Sequence, residues 1–484
     1  MFKTVNRICC FLLLLLPIAT ITLAQEEEAR QQINQAVFNK VEYHFNLQET
    51  DSIYALASAK FKQSLSAEAF RTVMEQQLYP LGRIQSAEMI GYEKNAGTYK
   101  LNFISAPQQL VLGLDSANNI ETFLFQPYKQ PLPAQTGPVV PASTAASGLD
   151  RFVDSVALGY SRKGNTHALA IGIISNGKTH SYFYGETEAE NKRLPDENTL
   201  FEIGSITKTF TATLLAYFAQ QELLNLDDPI TKYLPDSLAV NPSLQQITLK
   251  QLANHTSGLP RLPANLERMA AAHPGNPYEG YTRAHLYAFL KTYEADIAPD
   301  SIYAYSNLGY GILGDILSTV SGKSFAELVR EIIGTPLELN NTTAQPDTAQ
   351  QYLAKGYNEK GTETPHWTFN EPMTAVRSLK STVSDLLRYT RAHFKLPETA
   401  LENALALTRE FTFFTPPDTD IGLAWQMNLI GGSLTYRHSG ETGGSSSFVA
   451  FSPDRRVAIV VLSNTAEPVS PTAAAILDYI LNMP

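Results

Sequence analysis

Apolar residues recur along this chain with two different periods, and the changes of period divide it. Between Glu26 and Leu47, residues Ile33, Val37, Val41 and Phe45 fall four apart, the spacing of an amphipathic helix. In Ser66-Ala-Glu-Ala-Phe-Arg-Thr-Val-Met a cap-forming serine precedes a second helix. Shorter alternating runs follow, Tyr99-Lys-Leu-Asn-Phe-Ile and Gln109-Leu-Val-Leu-Gly-Leu, and predict strands. Residues 25–130 therefore read as a small α+β unit of helix, helix and strand meander. Residues 131–148 carry neither period, are rich in Pro, Ala, Ser and Thr, and read as a semi-extended linker.

Residues 149–484 form a second, larger unit, long enough for a sizeable core. Its pattern predicts a helix over Leu149–Tyr160, then two apolar runs flanking Ser175-Asn176-Gly177-Lys178. Asn-Gly between such runs is a hairpin signal. The stretch from about 205 to 400 is mainly helical with long loops. Strand-like runs return at Ile421–Asn428, Ser433–His438, Ser447–Phe451 and Val457–Ser463, and a helix over Thr472–Leu481 follows. Strands at both ends with helices between predict an α+β fold. One antiparallel sheet would be built from both termini, with a helical lobe inserted.

Composition narrows the class. The 484 residues carry 37 basic and 47 acidic side chains, a net charge of −10, which disfavours a nucleic-acid partner. Residues 1–24 combine Lys3 and Arg7, an apolar run at Phe11–Leu16 and a Thr22-Leu23-Ala24 ending, the form of a cleaved signal peptide. Cleavage would take the net charge to −12 and remove both cysteines, Cys9 and Cys10, leaving no disulfide, thiol nucleophile or Cys-ligated metal. No later segment suits a membrane span, so a periplasmic or secreted location is expected. The nine histidines are scattered and no phosphate or dinucleotide glycine loop occurs, so neither a metal nor a cofactor is expected.

The candidate chemistry begins at Ser205-Ile206-Thr207-Lys208, which opens an apolar helix pattern with Phe210, Leu214 and Phe218. Residues three apart share a helix face, so the Lys208 amine would stand one turn from the Ser205 hydroxyl. A lysine withdrawn from water has a depressed pKa and can take the serine proton. A second Ser-x-x-Lys, Ser175–Lys178, is the hairpin turn. Tyr305-Ser306-Asn307 is the only Tyr-x-Asn among 23 tyrosines. A phenol beside an ammonium should lose its proton more readily and is a candidate base, while an Asn amide can orient a substrate carbonyl. His438-Ser439-Gly440 ends a strand-like run, and the main-chain N–H of Glu441 could join that of Ser205 as an oxyanion hole. Asp227-Asp228-Pro229 reads as a surface cap.

Taken in order, Ser205-x-x-Lys208, Tyr305-x-Asn307 and His438-x-Gly440 resemble the serine β-lactamase and penicillin-binding-protein superfamily, on its class C side. The flanks His255-Thr-Ser-Gly-Leu-Pro260, Tyr305-Ser-Asn-Leu-Gly-Tyr310 and Leu379-Lys-Ser-Thr-Val-Ser-Asp-Leu386 fit the same group. The resemblance covers about 150–484. It implies Ser205 as acylated nucleophile, Lys208 and Tyr305 sharing acid and base work, and Asn307, His438, Gly440 and Glu441 binding substrate. The N-terminal unit is similar in pattern alone to NTF2-like or cystatin-like accessory domains.

Two positions depart from the resemblance. His438 stands where lysine is usual, which disfavours an anionic substrate and favours esterase, amidase or peptidase action. Arg377, in Ala375-Val-Arg-Ser-Leu379, stands where relatives often have paired glycine; it could line the cleft and supply the positive charge that His438 lacks, or face solvent, and solvent is the leading expectation. The leading expectation is an exported serine hydrolase acting on a small ester, a D-amino-acid peptide or a cell-wall fragment. The alternative is a non-catalytic module of the same fold that recognises peptidoglycan or a protein partner.

Overall fold

The computed structural model describes residues 16–103, 108–128, 147–347, 349–415 and 419–482. Most of the leader reading (1–15) and of the linker reading (131–146) lies outside these residues. The chain divides into two compact units, Met1–Pro131 and Leu132–Pro484.

In the first unit a helix over Leu16–Asn46 and shorter helices at Thr50–Ala55, Ala59–Ser64 and Ala67–Val73 precede four strands. These are β1 (Ser86–Glu93), β2 (Ala96–Asn102), β3 (Gln108–Leu114) and β4 (Ile120–Pro127), antiparallel in the order β1-β2-β3-β4. Ser66 caps its helix as expected, its Oγ accepting from Ala69 N at 3.2 Å. The long helix buries Asn34, Phe38, Val41 and Phe45, whereas Ile33 is 39% exposed. Steps of four advance about 40° beyond a full turn, so the strict four-spaced series slides off the buried face. Phe38 stacks on Tyr99 of β2 at 3.9 Å.

The second unit is organised by an eight-stranded antiparallel sheet. From the N-terminal side come β5 (Leu169–Ser175) and β6 (Lys178–Tyr184), joined through Asn176 and Gly177 at φ 51° and 73°, the left-handed pair of a tight hairpin. Short strands β7 (Phe201–Glu202), β8 (Gly356–Tyr357), β9 (Glu363–Thr364) and β10 (Lys380–Ser381) pair separately, β7 with β10 and β8 with β9. The C-terminal side supplies β11 (Phe413–Thr415), β12 (Thr419–Ile421), β13 (Gln426–Ile430), β14 (Ser433–Glu441), β15 (Ser446–Ser452) and β16 (Val457–Ser463). The order is β11-β12-β13-β14-β15-β16-β5-β6, so β16 pairing with β5 brings the two ends of the domain together.

Every residue of β5, β15 and β16 is buried, which is why they read as continuous apolar runs rather than alternating ones. One face packs on the helices Gly148–Ser161 and Ser470–Leu481, with Phe152 stacked on Tyr479 at 4.1 Å. The other face packs on the helical lobe, whose centre is the helix Thr207–Gln220. The run expected as one strand over 421–428 is broken between β12 and β13. There a Cβ on Gly422 would meet the Glu410 carbonyl at 2.9 Å, and Ala424 lies at φ 68° with its N–H bonded to Ala253 O at 3.0 Å. The lobe holds the chain in a bend at that point.

Candidate active site

Ser205 occupies a 3-10 turn, Gly204–Ile206, immediately before the buried helix Thr207–Gln220. Lys208 is fully buried one turn on, its Nζ 3.2 Å from Ser205 Oγ and 3.2 Å from Val376 O. Both contacts are to neutral groups, so no negative charge offsets the cost of burying an ammonium. Burial, with the positive charges of Arg377 and Arg261, holds the Lys208 pKa well below the usual lysine range. An amine whose pKa is lowered in this way holds its proton less tightly and can accept the Ser205 proton.

Tyr305 precedes the helix Asn307–Ser321, which Ser306 caps through Gly309 N at 2.9 Å. The Lys208 Nζ lies 5.0 Å from the Tyr305 ring centroid, and the phenol hydrogen-bonds Ser205. The expectation that this phenol ionises easily is overturned. Burial pushes its pKa up to about 12, against the lowering effects of Arg377 and the Ser205 hydrogen bond. A protonated phenol is a proton donor here.

The third element is the end of β14. A Cβ on Gly440 would come within 2.8 Å of Ser205 N and 2.6 Å of Ser447 Oγ, and would also collide with Ile203 O. Gly204, at φ 48°, would place a Cβ 2.6 Å from Glu441 N. Two glycines thus let the nucleophile turn and the strand touch main chain to main chain, bringing the Ser205 and Glu441 amides to one place. The buried Glu202, three residues before Ser205, secures the junction. Its carboxylate accepts from Thr442 Oγ1 at 2.7 Å and Trp367 N at 2.9 Å. Burial pushes its pKa up, but His366, Lys380 and Thr442 together outweigh this and leave it lowered, so it is a carboxylate.

A cavity of about 220 Å³ opens over these groups, lined among others by Ser205, Tyr305, His438, Gly440 and Glu441. His438 Nδ1 lies 2.7 Å from Ser439 O, which assigns the proton to Nδ1. Burial first, then Lys208, pushes the His438 pKa down to about 3, so the ring is neutral. Asn307 is not on this wall. It is buried, and its amide donates to the Tyr278 hydroxyl at 3.1 Å.

Arg377, expected in solvent, lines the cavity and donates to Glu441 O at 3.2 Å. Arg261 also lines it, 5.2 Å above the Tyr305 ring, and no local pattern marked it. His255, a flank residue in the sequence reading, lies under Tyr305 with ring centroids 4.3 Å apart and accepts from Ser306 N at 3.1 Å. Its pKa is driven far down by burial, then by Lys208, so it supports the phenol as a neutral ring. Glu202 is one more residue that sequence reasoning missed. The Asp227–Asp228 pair is a surface cap as read, Asp228 accepting from Asn225 N at 3.0 Å.

A family model described as Beta-lactamase matches residues 150–481. A β-lactamase of Pseudomonas fluorescens is 27% identical over 358 residues, covering 67% of this chain and 95% of that protein. The D-alanyl-D-alanine-carboxypeptidase/endopeptidase AmpH of Escherichia coli K12 is 27% identical over 345 residues, covering 67% and 85%. A class C β-lactamase crystal structure superposes with a TM-score of 0.62 at 25% identity, over 70% of this chain and 99% of its own. A β-lactamase/D-alanine carboxypeptidase from Pseudomonas syringae gives 0.61 at 25% identity, over 70% and 100%.

Proposed function

This chain is a serine hydrolase belonging to the β-lactamase family, and from that premise we propose that it works through an acyl-enzyme on Ser205, with an amide or ester as substrate. The observation that carries the reading is the contact of Ser205 Oγ with the buried Lys208 at 3.2 Å, whose pKa burial holds well below the usual lysine range. The Ser205 proton passes to Lys208 Nζ as Oγ bonds to the carbonyl carbon. The oxygen of the tetrahedral adduct takes the negative charge between the Ser205 and Glu441 amides. As the adduct collapses, the C–N or C–O bond breaks and the leaving group takes a proton from the Tyr305 hydroxyl, which regains one from Lys208. Water then attacks the ester carbon, Lys208 takes its proton, and Ser205 leaves with a proton returned to Oγ.

Asn307 steadies the loop around Tyr278 in this scheme, and His438 faces the substrate as a neutral ring. The substrates proposed are small esters, D-amino-acid peptides and cell-wall fragments. Export rests on the basic and apolar leader at 1–24, and no described helix is long and apolar enough to cross a membrane. The first unit is assigned an accessory role, of NTF2-like or cystatin-like type.

A fluorophosphonate or penicillin probe tests the covalent step. It should add to Ser205, mapped by peptide mass, and Ser205→Ala should lose both labelling and ester turnover, by about 10³-fold or more. Undiminished labelling of Ser205→Ala would refute the mechanism. Tight substrate binding without turnover in the native chain would instead establish the non-catalytic module.

A further inference from the structure

We infer that His255 is a positioning residue for the proton-donating step, aiming the Tyr305 phenol by gripping the chain on both sides of it. The inference rests on the acyl-enzyme reading and adds a residue to it. His255 is buried. Its carbonyl accepts from Ala304 N at 2.8 Å, and its Nδ1 accepts from Ser306 N at 3.1 Å. The residue between those two amides is Tyr305. The imidazole also lies against the phenol ring, centroids 4.3 Å apart, and against Tyr310 at 5.1 Å. One residue thus holds the backbone before and after Tyr305 and the ring between. A tyrosine has two side-chain torsions, so anchoring its backbone and its ring fixes where the hydroxyl stands. That hydroxyl is hydrogen-bonded to Ser205. A misplacement of about 1 Å at a reacting group can lower a rate about 10²-fold.

The chemistry of this grip calls for histidine rather than for any ring. Ser306 N is a donor, so Nδ1 presents its lone pair and the ring proton sits on Nε2. Nε2 is buried and has no partner among the described residues. A buried N–H left unpaired destabilises a fold, so packing alone would be served better by phenylalanine. The backbone adds a second demand. His255 lies at φ 63°, in the left-handed region, where histidine and asparagine are enriched among residues other than glycine. Adjacent bonds hold the same two segments together. Thr256 O accepts from Asp300 N at 2.8 Å, and Ser306 Oγ donates to Pro260 O at 2.7 Å. Of these contacts, the two made by His255 flank the phenol directly.

The test uses the full chain and two butyrate esters, p-nitrophenyl and n-propyl. p-Nitrophenolate departs as an anion, whereas the propyl oxygen must take a proton as its C–O bond breaks, in the scheme above from Tyr305. The acyl group is shared, so the propyl-to-aryl ratio of kcat/KM isolates the proton-donating step. His255→Gln carries its amide oxygen past the Nδ1 position, and His255→Phe keeps a ring without an acceptor. Each should lower the ratio about 10-fold or more, and either one, folded, suffices. His255→Asn sets its oxygen where Nδ1 stands but leaves a void beside the phenol. It should lower the Tm yet hold the ratio within about threefold of native. Tyr305→Phe should lower the ratio too, and adding His255→Gln should lower it no further. An equal loss on both esters in a folded Gln or Phe variant would overturn the role, as would an Asn variant that loses the ratio. So would a further fall in the Tyr305→Phe background. Fluorophosphonate labelling of native Ser205 separates the two failures. Labelled enzyme whose ratio ignores His255 loses the positioning role alone, and unlabelled enzyme loses the acyl-enzyme reading.

Discussion

Lys208 and Tyr305 show how far burial, rather than mere adjacency, decides protonation. Both sit by the same hydroxyl, yet burial moves them in opposite directions, the amine down and the phenol up to about 12. In each case the uncharged form is favoured, because a poorly hydrated site disfavours any charge. In the proposed mechanism the pair acts as base and acid, in that order. With the neutral amine of Lys208 as the base in that mechanism, kcat/KM should rise with pH through its depressed pKa, giving an acid limb well below 10.5. Arg377 contributes to that depression by repulsion. Arg377→Gln removes a positive neighbour, raises the lysine pKa and should shift the limb to higher pH. A pH–rate profile of the native and variant chains measures this. An unmoved or downward limb would contradict it.

Among the elements, the junction of the nucleophile turn with β14 carries the tightest requirement. Gly204 and Gly440 allow it from opposite sides, and Glu202 ties the following turn down through Thr442. The demand for glycine at 440 comes from close approach rather than a left-handed backbone, so the test is steric. Gly440→Ala should drive the strand from Ser205 N and lower the acylation rate constant by about 10²-fold or more, the usual effect of losing one oxyanion donor. Rapid-mixing measurement of the acyl burst would check it, with circular dichroism confirming an intact fold. An alanine variant acylating at the native rate would show that the two amides do not work as a pair.

Across the molecule, the apolar cores respect the division into two units. One cluster is drawn from Phe38–Ile120, and the other two are drawn from Leu149–Leu481. The whole cavity wall, from Ser205 to Glu441, belongs to the second unit. A chain of residues 147–484 should therefore fold cooperatively and keep kcat/KM on a small ester within about twofold of the full chain. Thermal unfolding and steady-state kinetics would decide this. Loss of turnover in a folded fragment would give the first unit a direct part in catalysis.

What could be read from the sequence alone was what depends on neighbours along the chain. Ser205 and Lys208 share a face because they lie three apart on a helix. Asn176-Gly177 turns because those two residues tolerate left-handed backbone, and Ser66 caps because of its own hydroxyl. The strands at both ends and the ordered motifs were legible for the same reason. Tertiary structure alone decided the charge of the cavity and the state of its protons. Arg377 turns inward, Arg261 arrives from a loop without any local signal, Asn307 turns to Tyr278, and the Tyr305 phenol keeps its proton. Charge, burial and collision act through space, and their strength depends on which distant segments the fold brings within a few ångströms.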